Sequence, residues 1–121
     1  MQRDLDLIRK ILLKCEEREH GYDPSPFTID GYTDEHIGFH IVLAGEAGLV
    51  HTTDITGQSD ESPVALAHSI TWSGYEFLDD TKDETVWKKA KKAAGNNSFD
   101  VLKAVLTVLA TEVCMKAAGL K

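Results

Sequence analysis

His36 and His40 stand four residues apart in a run of helical pattern, a spacing that can set two imidazoles on one face as metal ligands. A zinc site needs a third protein ligand, and the H-E-x-x-H arrangement is absent, because the run reads Glu35, His36, Ile37, Gly38, Phe39, His40. His20, His51 or His68 could complete the set only if the fold carried one of them close. The pattern therefore predicts packed or partly exposed histidines and no structural metal. Asp79 and Asp80 are adjacent carboxylates. Acid and base work requires such groups in a cleft with shifted proton affinity, and a solvated helix end explains this pair more simply. Ser73 precedes Gly74 but lies in no G-x-S-x-G elbow, and the chain has no glycine-rich phosphate loop and no nucleophilic cysteine setting. The expectation is a protein without catalysis and without a cofactor.

Lys88, Lys89, Lys91 and Lys92 form one compact basic cluster directly after Trp87. On a helix they spread over a wide arc, as a solvated face does, and they are also the candidate contact for a phosphate or an acidic partner. Trp72, Trp87, Tyr75 and Phe77 could form a stacking platform for bases, but large rings in a chain with few aromatics are expected to anchor the core.

Charge is distributed very unevenly. From Glu19 to Thr81 there are twelve acidic residues and no Lys or Arg. Residues 1–18 carry net +1, residues 19–83 net −12 and residues 84–121 net +4, which gives the overall −7. A helix that enters a DNA groove is normally flanked by cations, since phosphate neutralisation supplies much of the binding free energy. The segment from Asp34 to Ala47 has none and carries Asp34, Glu35 and Glu46 at its ends, so it is not expected to read bases.

Those residues must be positioned by a chain of 121 residues, 42% of them hydrophobic, which is enough for one core of moderate size and a single domain over 1–121. Cys15 and Cys114 sit in apolar helical patterns without metal or C-x-x-C spacing, and read as buried free thiols of a reducing compartment. The first ten residues, MQRDLDLIRK, alternate charge with leucine and lack a signal-peptide core, and no apolar stretch reaches membrane length. A cytoplasmic protein with no membrane partner is expected.

Leu5, Ile8, Ile11, Leu12 and Cys15 recur at three and four, predicting a helix from about Arg3 to Arg18. Gly21, Pro24 and Pro26 break it, and Phe27 to Asp30 reads as a short strand before a Gly31 turn. Thr33 caps a second helix over 34–47, Gly48 stops it, and Leu49 to Ile55 favours a strand. The polar run Thr56 to Pro63 is a flexible loop, with Ala65 to Trp72 returning as the second strand of a wing. Ser73 is expected to cap a helix carrying Tyr75, Phe77 and Leu78, and Val86, Trp87, Ala90 and Ala94 mark another that Gly95, Asn96 and Asn97 end.

The last helix follows Ser98. Leu102, Leu106, Leu109 and Val113 are expected to cover the domain's own core, while Val101, Val105, Val108 and Met115 widen the apolar arc toward a second surface. That width predicts self-association, most simply as a two-fold homodimer, unless the first helix and the Trp87 helix cover both faces within one chain. The fold class is α+β, mostly helical: a winged-helix-like domain with a β-hairpin wing and extra C-terminal helices.

The segments MQRDLDLIRKILL at the start, HIGFHIVLAGEAGLV in the middle, ITWSGYEFLDDTKDETVW after the hairpin and DVLKAV near the end resemble the domain of unknown function 2513 family, found in bacteria and their prophages. The resemblance spans nearly the whole chain. It implies no established activity; it supports by analogy a helix ending in GLV, a wing, and a following T-W-S-G-Y-E-F-L element. The functional expectation is a non-enzymatic module that binds a protein partner or itself. A DNA-binding regulator is the alternative, and it requires Lys88 to Lys92 to join Arg3, Arg9 and Lys10 in one basic face.

Overall fold

A computed structural model describes residues 1–18, 26–95 and 98–119. The expected helix breakers Gly21, Pro24, Asn96 and Asn97, and the candidate ligand His20, lie outside the described residues. The architecture is α+β and mostly helical, with five helices and one antiparallel hairpin among the described residues. The chain divides into two compact units, Met1–Tyr75 and Glu76–Lys121.

The first unit opens with α1, Leu5–Glu16, whose start is fixed by Asp4: its Oδ1 accepts from the Leu7 N–H at 3.2 Å. Leu7, Ile8, Ile11, Leu12 and Cys15 are buried, whereas Leu5 is only half-buried. Burial raises the Cys15 thiol above its ordinary pKa, and the nearby Arg18 only partly offsets this. The strand expected over Phe27 to Asp30 does not form. Its β-branched and aromatic residues find no neighbouring strand, and the segment instead closes a tight turn in which the Tyr32 N–H donates to the Ile29 carbonyl at 3.2 Å.

Helix α2, Asp34–Glu46, begins at Thr33 as expected and ends in a Schellman motif. The Leu49 N–H reaches back to Ala44 O and the Gly48 N–H to Gly45 O, both at 3.0 Å. Gly48 has φ +76°, a left-handed conformation that a side chain would strain. Leu49 and Ala44, both fully buried, supply the hydrophobic contact that accompanies the motif.

The chain then forms β1, Val50–Asp54, paired antiparallel with β2, Ala65–Ile70. The register runs Val50 with Ile70, His51 with Ser69 and Thr52 with Ala67, so His68 is an extra residue in β2. Arg18 serves this irregularity: its guanidinium donates to Ala67 O at 2.6 Å and His68 O at 3.2 Å. The loop expected to be flexible is tied by its own bonds. Asp54 Oδ1 accepts from the Thr56 N–H at 2.8 Å and from its hydroxyl, which holds the Asp54 carboxyl below its ordinary range, and the Gly57 N–H donates to Asp60 Oδ2 at 2.7 Å.

Helix α3, Trp72–Thr81, starts earlier than expected. Thr71 is its cap, not Ser73: the Thr71 hydroxyl accepts from the Gly74 N–H at 3.0 Å and donates to Gly48 O at 2.5 Å. This sets the buried positions at Gly74, Phe77, Leu78 and Thr81, spaced three, four and seven apart. Trp72 and Tyr75 fall off that row and are 81% and 40% exposed, so the expectation that both anchor the core is corrected.

The second unit contains the remainder of α3, then α4, Glu84–Ala94, and α5, Phe99–Ala117. Asp83 Oδ1 caps α4 by accepting from the N–H groups of Thr85 and Val86 at 2.8 and 3.1 Å. Trp87, 1% exposed, meets Phe77 edge-on with centroids 5.9 Å apart, and Phe77 meets Phe99 at 5.4 Å. These three rings, with Leu78, Val86, Ala90, Leu102 and Leu106, form the unit's core.

Candidate functional site

His40 is fully buried and both of its ring nitrogens are engaged by backbone. The Asp4 N–H donates to Nε2 at 2.8 Å, and Nδ1 lies 2.8 Å from the His36 carbonyl oxygen. A backbone N–H can only donate and a carbonyl can only accept, so Nδ1 carries the proton and the ring is neutral. His40 thereby fastens the start of α1 to α2. His36 instead closes the α2 cap: Thr33 Oγ1 accepts from its N–H at 3.2 Å and lies 2.7 Å from its Nδ1.

The two histidines thus face different tasks, His36 exposed and His40 enclosed, and do not form a ligand pair. His51 is exposed on β1, and His68 Nε2 contacts the Thr53 hydroxyl across the hairpin. Among the described residues no three His, Cys, Asp or Glu side chains gather as a metal cluster. Replacing His40 by alanine is expected to cost about 2 kcal/mol, since it unpairs the half-buried Asp4 N–H and opens a void, while His36→Ala stays within about 1 kcal/mol. Chemical denaturation of the two variants checks the difference.

Asp79 pairs with Lys82 at 3.5 Å on the surface. Asp80 is half-buried, and its carboxyl pKa is raised, chiefly by burial. A hydrogen bond with Thr107 opposes that rise, and the negative charges of Asp79 and Glu76 add to it. The ionised form is therefore disfavoured by the fold, and the associated penalty appears as pH rises through the raised value. In the first unit an apolar groove of about 260 Å³ lies between α2 and β2, lined by Phe27, Ile37, Ile41, Val64 and Leu66 among others. Asp34 is the single titratable residue in its lining, so it lacks the convergent polar groups that orient a reacting substrate.

The lysine cluster sits on α4 opposite its buried row of Val86, Trp87, Ala90 and Ala94. Lys88, Lys89 and Lys92 are exposed, whereas Lys91 is half-buried with its Nζ 5.2 Å from the Trp87 ring centroid. Lys89 also lines a 110 Å³ cleft between α4 and α5 that contains Asp83 and Glu112 as well as Lys116, so its surroundings are of mixed charge. On α1, Arg9 is only 9% exposed, which withdraws one of the cations that a DNA-binding face would need.

Helix α5 carries the largest uncovered apolar surface of the second unit. Leu102 and Leu106 are buried, and Leu109, Ala110, Val105 and Met115 are half-buried. Val101, Val108 and Val113 are 40%, 58% and 43% exposed. Val113 therefore does not cover the core as expected, and Cys114 is exposed where a buried thiol was expected. The cause is length: α5 has 19 residues against 11 in α4, so it is about 12 Å longer than the helix packed along it. Burial ends at Leu106, and the turns beyond have less to pack against.

Sequence recognition missed Leu7, Arg18 and Thr71. Leu7 stands four before Ile11 and so fits the helical spacing that could have found it, whereas the other two act through backbone carbonyls that no side-chain pattern reveals.

No helix among the described residues is long and apolar enough to cross a membrane. No solved structure matches the chain. A Haemophilus influenzae protein described as uncharacterised is 35% identical over 104 residues, covering 84% of this chain and 85% of that protein. A family model described as "Hypothetical protein (DUF2513)" matches residues 2–100, from the N-terminus through the second residue of α5. On that match and that relative, the chain belongs to the DUF2513 family.

Proposed function

We propose that the protein is a non-enzymatic, winged-helix-like module that works through protein contact, with self-association along α5 as its principal mode. The winged-helix reading is supported by α2 running through its Schellman turn directly into the β1–β2 hairpin. The contact reading is carried by one observation: Val101 and Val108 stand 40% and 58% exposed on a helix whose other side is core. Apolar side chains aligned in water along one helix face are a recurrent mark of an interface. Light scattering over a dilution series is expected to show a dimer in the micromolar range, and Val108→Glu is expected to weaken it at least about tenfold, because it would bury an unpaired carboxylate. A monomer mass at every concentration would remove this reading.

The DNA-binding alternative draws on the exposed Lys88, Lys89 and Lys92. Under it, retention of DNA is expected to vanish when these three are changed to glutamine. Under the favoured reading, gel shifts at low salt show no sequence-specific retention at all, since α2 offers no cation to phosphate.

A further inference from the structure

We infer that the occupant of the α5 face is the α5 of a second copy, running antiparallel, an inference that rests on the self-association reading above. The uncovered side of α5 follows a heptad frame. Val101, Val108 and Met115 recur every seven residues, and Ala104, Thr111 and Ala118 recur every seven between them, so the six form one continuous seam. Val101, Ala104, Val108, Thr111 and Ala118 are exposed and Met115 is half-buried, which places the seam on the side away from Leu102 and Leu106.

Toward both of its ends the seam sets a larger residue beside a smaller one, Val101 beside Ala104 and Met115 beside Ala118, and this arrangement selects its partner. If two copies run antiparallel about a point between Leu109 and Ala110, Val101 meets the partner's Ala118, Ala104 meets Met115 and Val108 meets Thr111. The outer layers then each contain one larger and one smaller side chain, and the central layers set Val108 against the similarly sized Thr111, so the axes keep an even, close spacing. In a parallel pair Met115 would meet Met115, and Ala104 and Ala118 would each meet their own equivalent, leaving crowding in one layer and voids in two others.

The polar groups on this side also suit burial. The Thr111 hydroxyl donates to Thr107 O at 2.7 Å, so the one hydroxyl in the seam is already satisfied within the helix. The charged residues of α5, namely Asp100, Lys103, Glu112 and Lys116, all lie off the seam. In the antiparallel arrangement Glu112 falls beside the partner's Val105 and not beside its own equivalent.

Size exchange between opposed layers tests the pairing. Ala104→Met alone sets methionine against methionine, and Met115→Ala alone sets alanine against alanine. Each is expected to raise the dimer dissociation constant about tenfold, and the double variant to return it to within about threefold of the parent. The exchange of Val101→Ala with Ala118→Val should behave alike and guards against a local packing fault at Met115. Circular dichroism confirms that each variant keeps its helix content. Restoration in the double variants supports the antiparallel register. A double variant as weak as or weaker than its singles overturns it, even where Val108→Glu still dissociates the dimer and leaves self-association standing. A wild-type monomer throughout removes both.

Discussion

Replacing Trp87 by alanine is expected to cost about 3–5 kcal/mol, the largest loss among the substitutions considered. The indole is 1% exposed and holds the centre of the second unit, edge-on to Phe77 and with Lys91 Nζ 5.2 Å from its ring centroid. Truncation removes a large apolar area and leaves a cavity that two helices joined by a short link close only in part. The measurement is a denaturant titration read by helix content, supplemented by fluorescence in a Trp72→Phe background. Because Trp72 is 81% exposed, that background isolates the buried indole as a reporter of the second unit. Loss of less than about 1 kcal/mol would contradict the assignment of Trp87 as the packing centre.

Gly74→Ala is expected to be nearly as damaging, at about 3 kcal/mol, although it adds one methyl group. A Cβ at this position would lie 2.0 Å from Leu49 O and 2.7 Å from Ile70 Cγ2. The first obstacle is backbone, held in place because Leu49 O also accepts from the Thr71 N–H at 3.1 Å. Relief requires α3 to move off the turn that ends α2. Ser73→Ala, one residue earlier and exposed, is expected to leave stability within about 0.5 kcal/mol, so the pair separates close approach from helix propensity. Thermal melts of the two variants in parallel provide the check.

The elements whose signals are local were legible in the sequence. Thr33 with Asp34 and Glu35, Gly48 after a helical run, and Ser98 before Phe99 announce caps and stops through the chemistry of a few adjacent residues, and α2, β1 and α5 begin or end beside them. The elements whose signals are relational were not. Phe27, Thr28 and Ile29 have strand propensity, but a strand needs a partner, and the only hairpin described pairs other residues. Trp72 and Tyr75 were expected inside because of their type, yet the register of α3 follows from Thr71, which binds a carbonyl 23 positions earlier in the chain. The candidate interface was legible in part: Val101 and Val108 emerged from the width of the apolar arc, whereas the exposure of Val113 depends on the lengths of neighbouring helices.

Thr71 also has a consequence for the hairpin as a whole. Its N–H and hydroxyl bind Leu49 O and Gly48 O, so the chain from Leu49 to Thr71 is a loop stapled shut at its neck. Closing entropy has already been met at that neck, and each further doubling of a loop's length adds only about 0.6 kcal/mol. The tip of the distal turn can thereby lengthen while the neck keeps its geometry, at the cost of the Gly57–Asp60 bond that closes it. A peptide insert between Ser59 and Asp60, where every neighbour is exposed, would be carried as cargo by a frame that does not depend on it.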